Sequence, residues 1–117
     1  MPTYSHLHCH TQFSLLDGAT KIPDMLKKAS EDGMPGVALT DHGNMFGAFK
    51  FVAEASKYNV KPIVGCEFYL VEDRHAKTFS KEKKDNRYHQ LMLAKNEEGY
   101  KNRRAARPAV PRHRHQR

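Results

Sequence analysis

Cysteine is scarce. The two thiols, Cys9 and Cys66, form neither a CxxC pair nor a disulfide framework. That excludes a disulfide-stapled secreted scaffold and points to a reducing compartment, the cytoplasm. Long apolar runs are also missing. None approaches the roughly 20 residues needed to cross a bilayer, so no membrane partner is expected. The opening Met1-Pro2-Thr3-Tyr4-Ser5-His6 lacks the basic and apolar regions of a secretory leader. At 117 residues the chain offers one domain with a modest core. A complete eight-stranded α/β barrel, or a multidomain enzyme acting alone, is too large for it. Apolar residues at 38% and charged residues at 28% fit a soluble globular body.

Charge is unevenly placed. The net charge of +7 invites a nucleic-acid reading. Yet residues 103–117 carry six Arg and no acid, whereas residues 1–102 carry 14 basic and 13 acidic side chains. The body is near neutral. It uses 12 Lys and 2 Arg, while the tail uses no Lys at all. Such a switch fits translation in a shifted frame or a cloning junction; the alternative is a basic arm for phosphates. The tail cannot bury a core and is expected to be disordered. The expected division is therefore a body over 1–102 and a tail over 103–117.

Periodicity organises the body. Tyr4 to His10 alternates and reads as a strand. Thr11 to Thr20 reads as a loop, with an Asp17-Gly18 turn signal. Ile22, Met25, Leu26 and Ala29 lie at helical spacing, with Pro23 in the first turn and Gly33 closing the helix. Gly36 to Thr40 reads as a buried strand. Met45 to Tyr58 reads as a helix with Phe46, Phe49, Val52 and Ala53 on its apolar stripe. Lys61 to Tyr69 reads as a strand interrupted at Gly65. Val71 to Asn86 is polar and reads as a long mobile loop, and Arg87 to Ala94 as another strand. Asn96 caps a last helix, with Glu97 and Glu98 in its first turn. Alternating strands and helices argue for an α/β fold with parallel strands. Pattern alone leaves an open sheet and the opening arc of a barrel equally allowed.

The chemistry gathers at the strands. His6, His8, His10, His42 and His89 all fall at or beside one. Residues two apart in a strand share a face, so His8 and His10 point the same way, with His6 one step behind. Leu7 and Cys9 face the other side and are expected to pack. Functional groups in parallel α/β folds collect at the carboxyl ends of strands. Asp17 and His42 fit that rule; His89 fits it less well, because it precedes the apolar run of its strand. Imidazole plus carboxylate is a ligand set for zinc, manganese or iron, and Glu67 among several histidines can bridge two ions. Paired ions suit phosphate ester hydrolysis. A lone histidine is ordinarily a structural hydrogen-bonding group, and an HxH pair says little by itself. The HxHxH run with Asp41-His42 and Glu67 is a stronger signal. Cys66 reads as core, His75 as solvated, the Lys77 to Lys84 run as a soluble loop, and Phe13, Phe46, Phe49 and Phe51 as packing.

These residues resemble a known family. His6-Leu7-His8-Cys9-His10-Thr11, Phe13-Ser14-Leu15-Leu16-Asp17-Gly18 and Leu39-Thr40-Asp41-His42-Gly43-Asn44 are similar to the first motifs of the PHP (polymerase and histidinol phosphatase) domain. Gly65-Cys66-Glu67-Phe68-Tyr69, Tyr88-His89-Gln90-Leu91 and Asn96 to Asn102 resemble its polymerase branch, at the N-terminus of bacterial replicative DNA polymerases. The resemblance covers residues 3 to 102.

The resemblance implies the first part of a distorted (β/α)7 barrel, incomplete here, with up to three divalent ions at the carboxyl face, zinc or manganese. The metal positions it implies are His8, His10, Asp17, His42, Glu67 as a bridge, and His89. Asp41 would support them from behind or orient its turn. The family's later ligands, a His or Cys and an Asp-x-His, have no counterpart here, and neither have the catalytic aspartates of a polymerase palm. The chain alone is therefore expected to be an inactive fragment of a cytoplasmic replication protein. Its intact relatives would make DNA, act on phosphoesters including DNA 3′ ends, and meet DNA and replisome subunits. One alternative is a structural platform that braces the polymerase or binds a proofreading partner. Another is a free-standing phosphatase of the histidinol-phosphatase type, against which Asn96 to Asn102 and Ser14 to Gly18 argue.

Overall fold

The computed structural model describes residues 3–71 and 87–105. His75, the Lys77 to Lys84 run and residues 106–117 lie outside the described residues. The described elements are α1 (Ile22–Glu31), β1 (Gly36–Leu39), α2 (Ala48–Ala55) with a 3₁₀ turn over Ser56–Tyr58, β2 (Lys61–Leu70), β3 (Tyr88–Leu93) and α3 (Glu97–Ala105).

The sheet is mixed, in the order β1-β2-β3. The first half of β2 pairs parallel with β1, Gly36 opposite Lys61 through Leu39 opposite Val64. Its second half pairs antiparallel with β3, Gly65 opposite Leu93 through Leu70 opposite Tyr88. An all-parallel arrangement is therefore corrected. A parallel return needs a crossover over the sheet's face, and residues 71–86 carry no helical apolar pattern to form one. Nor does Gly65 interrupt its strand. It is where β2 passes from one partner to the other, and a Cβ there would lie 2.5 Å from Thr40 Cγ2 and 2.7 Å from Leu93 Cδ2. Only a residue without a side chain lets the layers approach so closely.

The opening segment is not a strand. It runs beside β1 and the residue that follows: Ala38 N–H donates to His6 O and Thr40 N–H to Cys9 O, both at 2.8 Å. A step of two residues on that side thus matches three of the segment, so no regular ladder forms. Cys9 N–H turns to the Thr40 hydroxyl instead, at 2.8 Å.

Helix α1 buries the expected residues Ile22, Leu26 and Ala29 against Val37 and Leu39 of β1 and Phe51 and Ala55 of α2. Full burial of a side chain such as Phe51 contributes about 1.5–3 kcal/mol. Helix α2 corrects the expected stripe. It buries Ala48, Phe51 and Ala55, while Phe46 and Phe49 are 66% and 87% exposed and Val52 also faces outward. The helix is apolar on two sides, and periodicity cannot say which one meets the sheet. Small Ala48 and Ala55 let the backbone come close on the chosen side. On the other side of β2, Cys66 packs with Met45 and Ala48, and Phe68 and Tyr100 lie against them. Asn96 Oδ1 caps α3 by accepting Gly99 N–H at 2.9 Å. That helix runs through Arg103 and Arg104 to Ala105, three residues into the expected tail, in keeping with the helix preference of Arg and Ala.

Candidate metal centre

The site forms where three chain segments end together. β1 stops at Leu39, and the chain beyond it continues beside β2 through a parallel bridge between His42 and Glu67. Glu67 N–H donates to Asp41 O at 3.1 Å, and Gly43 N–H donates to Glu67 O at 2.8 Å. Within β2, Glu67 and Tyr69 share the face opposite Cys66 and Phe68. His89 lies directly opposite Tyr69 across the antiparallel pair. This explains the apparent misfit of His89: in an antiparallel strand the beginning lies at the carboxyl end of its neighbour.

Asp41 is fully buried and holds the opening segment. Its carboxylate accepts Thr11 N–H at 2.5 Å and the Thr11 hydroxyl at 2.9 Å. It thereby fixes the residue after His10 and touches no histidine in any hydrogen bond among the described residues. Ser14, also fully buried, accepts His42 N–H on its hydroxyl at 2.8 Å. Asn44 donates to Phe13 O at 2.8 Å. Gly18 closes the turn, since a Cβ there would lie 2.1 Å from Thr11 O. Leu16 adopts a left-handed backbone (φ +65°) just before Asp17, a conformation that costs a branched residue about 1 kcal/mol or more.

Glu67 is the hub. Its Oε2 meets His8 Nε2 at 2.8 Å and His10 Nε2 at 2.7 Å, and its Oε1 meets His89 Nδ1 at 2.5 Å. His42 Nδ1 lies 3.6 Å from Oε2. Burial pushes the Glu67 carboxyl upward, but the hydrogen bonds from His8, His89 and His10 and the charge of His42 outweigh it. The group is held down at about 2. Asp17 joins from the loop, 2.6 Å from His10 Nδ1 and 3.0 Å from His42 Nε2.

Three groups of side chains have ligand atoms within 4.8 Å of one another: His8, His10 and Glu67; His10, Asp17 and His42; and His42, Glu67 and His89. All six metal positions expected from the sequence thus fall in one cluster. His6 does not; its ring packs edge-on to Tyr4 at 5.3 Å. A neutral imidazole has one free lone pair, so His10 and His42, each shared by two groups, can serve one ion apiece. The first and third groups can be filled together across Glu67, and the middle group competes with both.

One observation tests whether a cation fits. His42 Nδ1 is buried without a hydrogen-bond partner. Buried polar atoms are rarely left so, and a cation shared with Glu67 and His89 would satisfy this one. The donor set, imidazole and carboxylate, suits a divalent transition ion. Cys9 is no competitor as a nucleophile: burial pushes its thiol up, against a lowering backbone hydrogen bond at His8.

Sequence reading missed Tyr69. Its ring lies 4.8 Å from His89, edge-on, and 6.2 Å from His42, nearly parallel. The Arg87 guanidinium lies 5.6 Å from the centre of the same ring. The alternation of β2 carried the signal, because Tyr69 is two residues from Glu67.

Comparison with known proteins agrees with this geometry. The PHP domain model matches residues 6–104. The DNA polymerase III subunit alpha of Borreliella burgdorferi is 50% identical over 102 residues, covering 85% of this chain and 9% of that protein. The same subunit of Helicobacter pylori is 50% identical over 99 residues, covering 85% and 8%. That of Aquifex aeolicus is 42% identical over 104 residues, covering 85% and 9%. A solved structure from Bifidobacterium adolescentis, assigned as a metal-dependent phosphoesterase, superposes with a TM-score of 0.60 at 27% identity, covering 88% of this chain and 34% of that one. The chain thus spans less than a tenth of these polymerase subunits, in the region of their N-termini. On the family match and these relatives together, the chain belongs to the PHP domain family.

Proposed function

We propose that the chain is the metal-binding PHP portion of a replicative DNA polymerase, and that its histidine–carboxylate centre serves phosphoester hydrolysis at DNA 3′ ends in the larger protein. The observation that carries the metal reading is the buried, unpartnered His42 Nδ1 beside Glu67 and His89. His8, His10 and Glu67 would hold one zinc or manganese ion, and His42, Glu67 and His89 a second. Asp17 would accept from the outer nitrogens of His10 and His42, keeping the imidazoles oriented. When bound, such an ion would supply Lewis-acid polarisation of a phosphoryl oxygen and a nucleophile near neutral pH. Glu67 keeps its charge at every physiological pH, which balances the cations. Asp41 and Ser14 fix the two backbone segments that carry His10 and His42.

The chain by itself is inactive in this reading, because each ion would have only three protein ligands and the family's further ligands, a His or Cys and an Asp-x-His, have no counterpart among its residues. DNA and replisome subunits are the partners, and the cytoplasm the location, of the larger protein. No helix among the described residues is long and apolar enough to cross a membrane.

A second reading has its own support. Glu67 already engages three histidines, so the cluster could act as a clasp that braces a polymerase without chemistry. Calorimetric titration with zinc and with manganese decides between them. One or two ions bound, with binding abolished in Glu67→Gln, supports the metal reading. No binding at millimolar metal leaves the clasp.

A further inference from the structure

We propose that Tyr69 is the positioning residue that commits His42 and His89 to the ion they would share with Glu67. The inference rests on the metal reading above and deepens it, by separating two ion positions that hold Glu67 in common. Tyr69 is two residues from Glu67 on β2, so both side chains stand on one face of the strand. It lies directly opposite His89 in the antiparallel pair. Its ring meets that of His89 edge-on at 4.8 Å, and lies nearly parallel to that of His42 at 6.2 Å, with 11° between the planes. The rings of His8 and His10 meet each other at 5.1 Å. Neither meets Tyr69 in any ring contact among the described residues. The tyrosine therefore touches both imidazoles of the third ligand group and neither imidazole of the first.

Both of those imidazoles have a choice to be settled. His89 stands on β3, at the edge of the sheet, with its side chain 53% exposed. A side chain in such a place keeps its rotamer freedom unless a neighbour removes it. His42 has two claims on its ring. Its Nε2 lies 3.0 Å from Asp17, toward the middle group, and its Nδ1 lies 3.6 Å from Glu67 Oε2. A neutral imidazole lends one lone pair to one ion, so the orientation of the ring decides which group it serves. Tyr69 lies against the two rings in the orientation that turns both Nδ1 atoms toward Glu67. These contacts belong to the aromatic ring. Phenylalanine can make them, and leucine has neither the face nor the edge.

The test is zinc binding to the full chain, followed by calorimetry and by the ring-nitrogen resonances of the histidines. The unaltered chain is expected to take two ions, one shifting His8 and His10 and the other His42 and His89. Tyr69→Leu should weaken the second ion about tenfold, the low end for losing an outer partner of a ligand. It should leave the first ion unchanged, which also shows that the variant folds. Tyr69→Phe should restore the second ion. A merely structural role would weaken both ions together and lower the melting temperature in chelator. Equal weakening of the two ions, or weakening of neither, overturns the proposal and leaves the metal reading standing. So does a Tyr69→Phe chain that binds no better than Tyr69→Leu, or an unaltered chain that takes a single ion on His8 and His10. No zinc on the unaltered chain overturns the metal reading itself, and the proposal with it.

Discussion

His42 and Glu67 sit side by side in a parallel bridge just past the end of β1. The backbone bonds from Glu67 N–H to Asp41 O and from Gly43 N–H to Glu67 O lock the pair in register. The carboxylate then reaches His8, His10 and His89 without further adjustment. On the proposed metal reading, Glu67 would be shared by two ion positions and should be the least replaceable of the six. Glu67→Gln, which keeps the size, is expected to lower zinc affinity by more than the 10–100-fold typical of losing an outer-sphere partner. Calorimetry of the two chains side by side measures it.

The same carboxylate predicts a pH dependence in the metal-free chain. Glu67 is held down at about 2 in the folded state, so the unfolded chain binds its proton more readily. Its contribution to stability is complete above about pH 4.5, the ordinary glutamate range, and is lost as the pH falls toward 2. Urea midpoints in chelator at pH 6, 4, 3 and 2 should show the gap between the unaltered chain and Glu67→Gln closing across that window. A gap that stays constant would show that the histidine bonds do not favour the charged form.

Asp41 offers a test that needs no metal. Its buried carboxylate satisfies both the N–H and the hydroxyl of Thr11. Asp41→Ala should cost about 2–3 kcal/mol, because charge-assisted bonds are lost and a buried donor is left unpaired. Pairing it with Thr11→Val in a double-mutant cycle should reveal strong coupling. Independent effects would mean that the two residues do not act as one brace.

How much of this was legible beforehand depended on the kind of signal. The face shared by His8 and His10 followed from their spacing alone, although the segment bearing them is not a strand. A two-residue repeat orients side chains in any extended backbone, whether or not a ladder forms. The buried face of α1 was legible because only one of its sides is apolar. That of α2 was not, because Phe46 and Phe49 compete with Ala48, Phe51 and Ala55, and tertiary packing chooses between them. The direction of β3 depends on a connection with no periodicity. Once that direction is known, the position of His89 follows at once. Tyr69 stayed unnoticed because an aromatic in a strand usually reads as packing.

The two faces of α2 can be compared directly. Phe51 is completely buried between α1 and the sheet, and Phe51→Ala should cost about 3–5 kcal/mol. A domain this small has little stability to lose, so the variant should show no cooperative melt by circular dichroism. Phe49→Ala, on the exposed side, should change the midpoint by no more than about 0.5 kcal/mol. Equal losses at the two positions would contradict the observed orientation of the helix.

The unpartnered Nδ1 of His42 gives the sharpest contrast between empty and loaded states. In chelator, this nitrogen makes no hydrogen bond that a substitution could remove; the contact of the other ring nitrogen with Asp17 at 3.0 Å and the longer approach to Glu67 at 3.6 Å are lost. His42→Ala should therefore be destabilised by its cavity and by that one contact with Asp17, with nothing added for Nδ1. Zinc stabilises a folded chain by about 2.7 kcal/mol at a hundredfold excess over its Kd. That gain should fall markedly in His42→Ala, since the third ligand group loses a member and the middle group another. Thermal melts of both chains, with chelator and with saturating zinc, separate the two terms. If zinc raises the midpoint equally in both, His42 holds no ion, and its buried nitrogen requires a structural explanation instead.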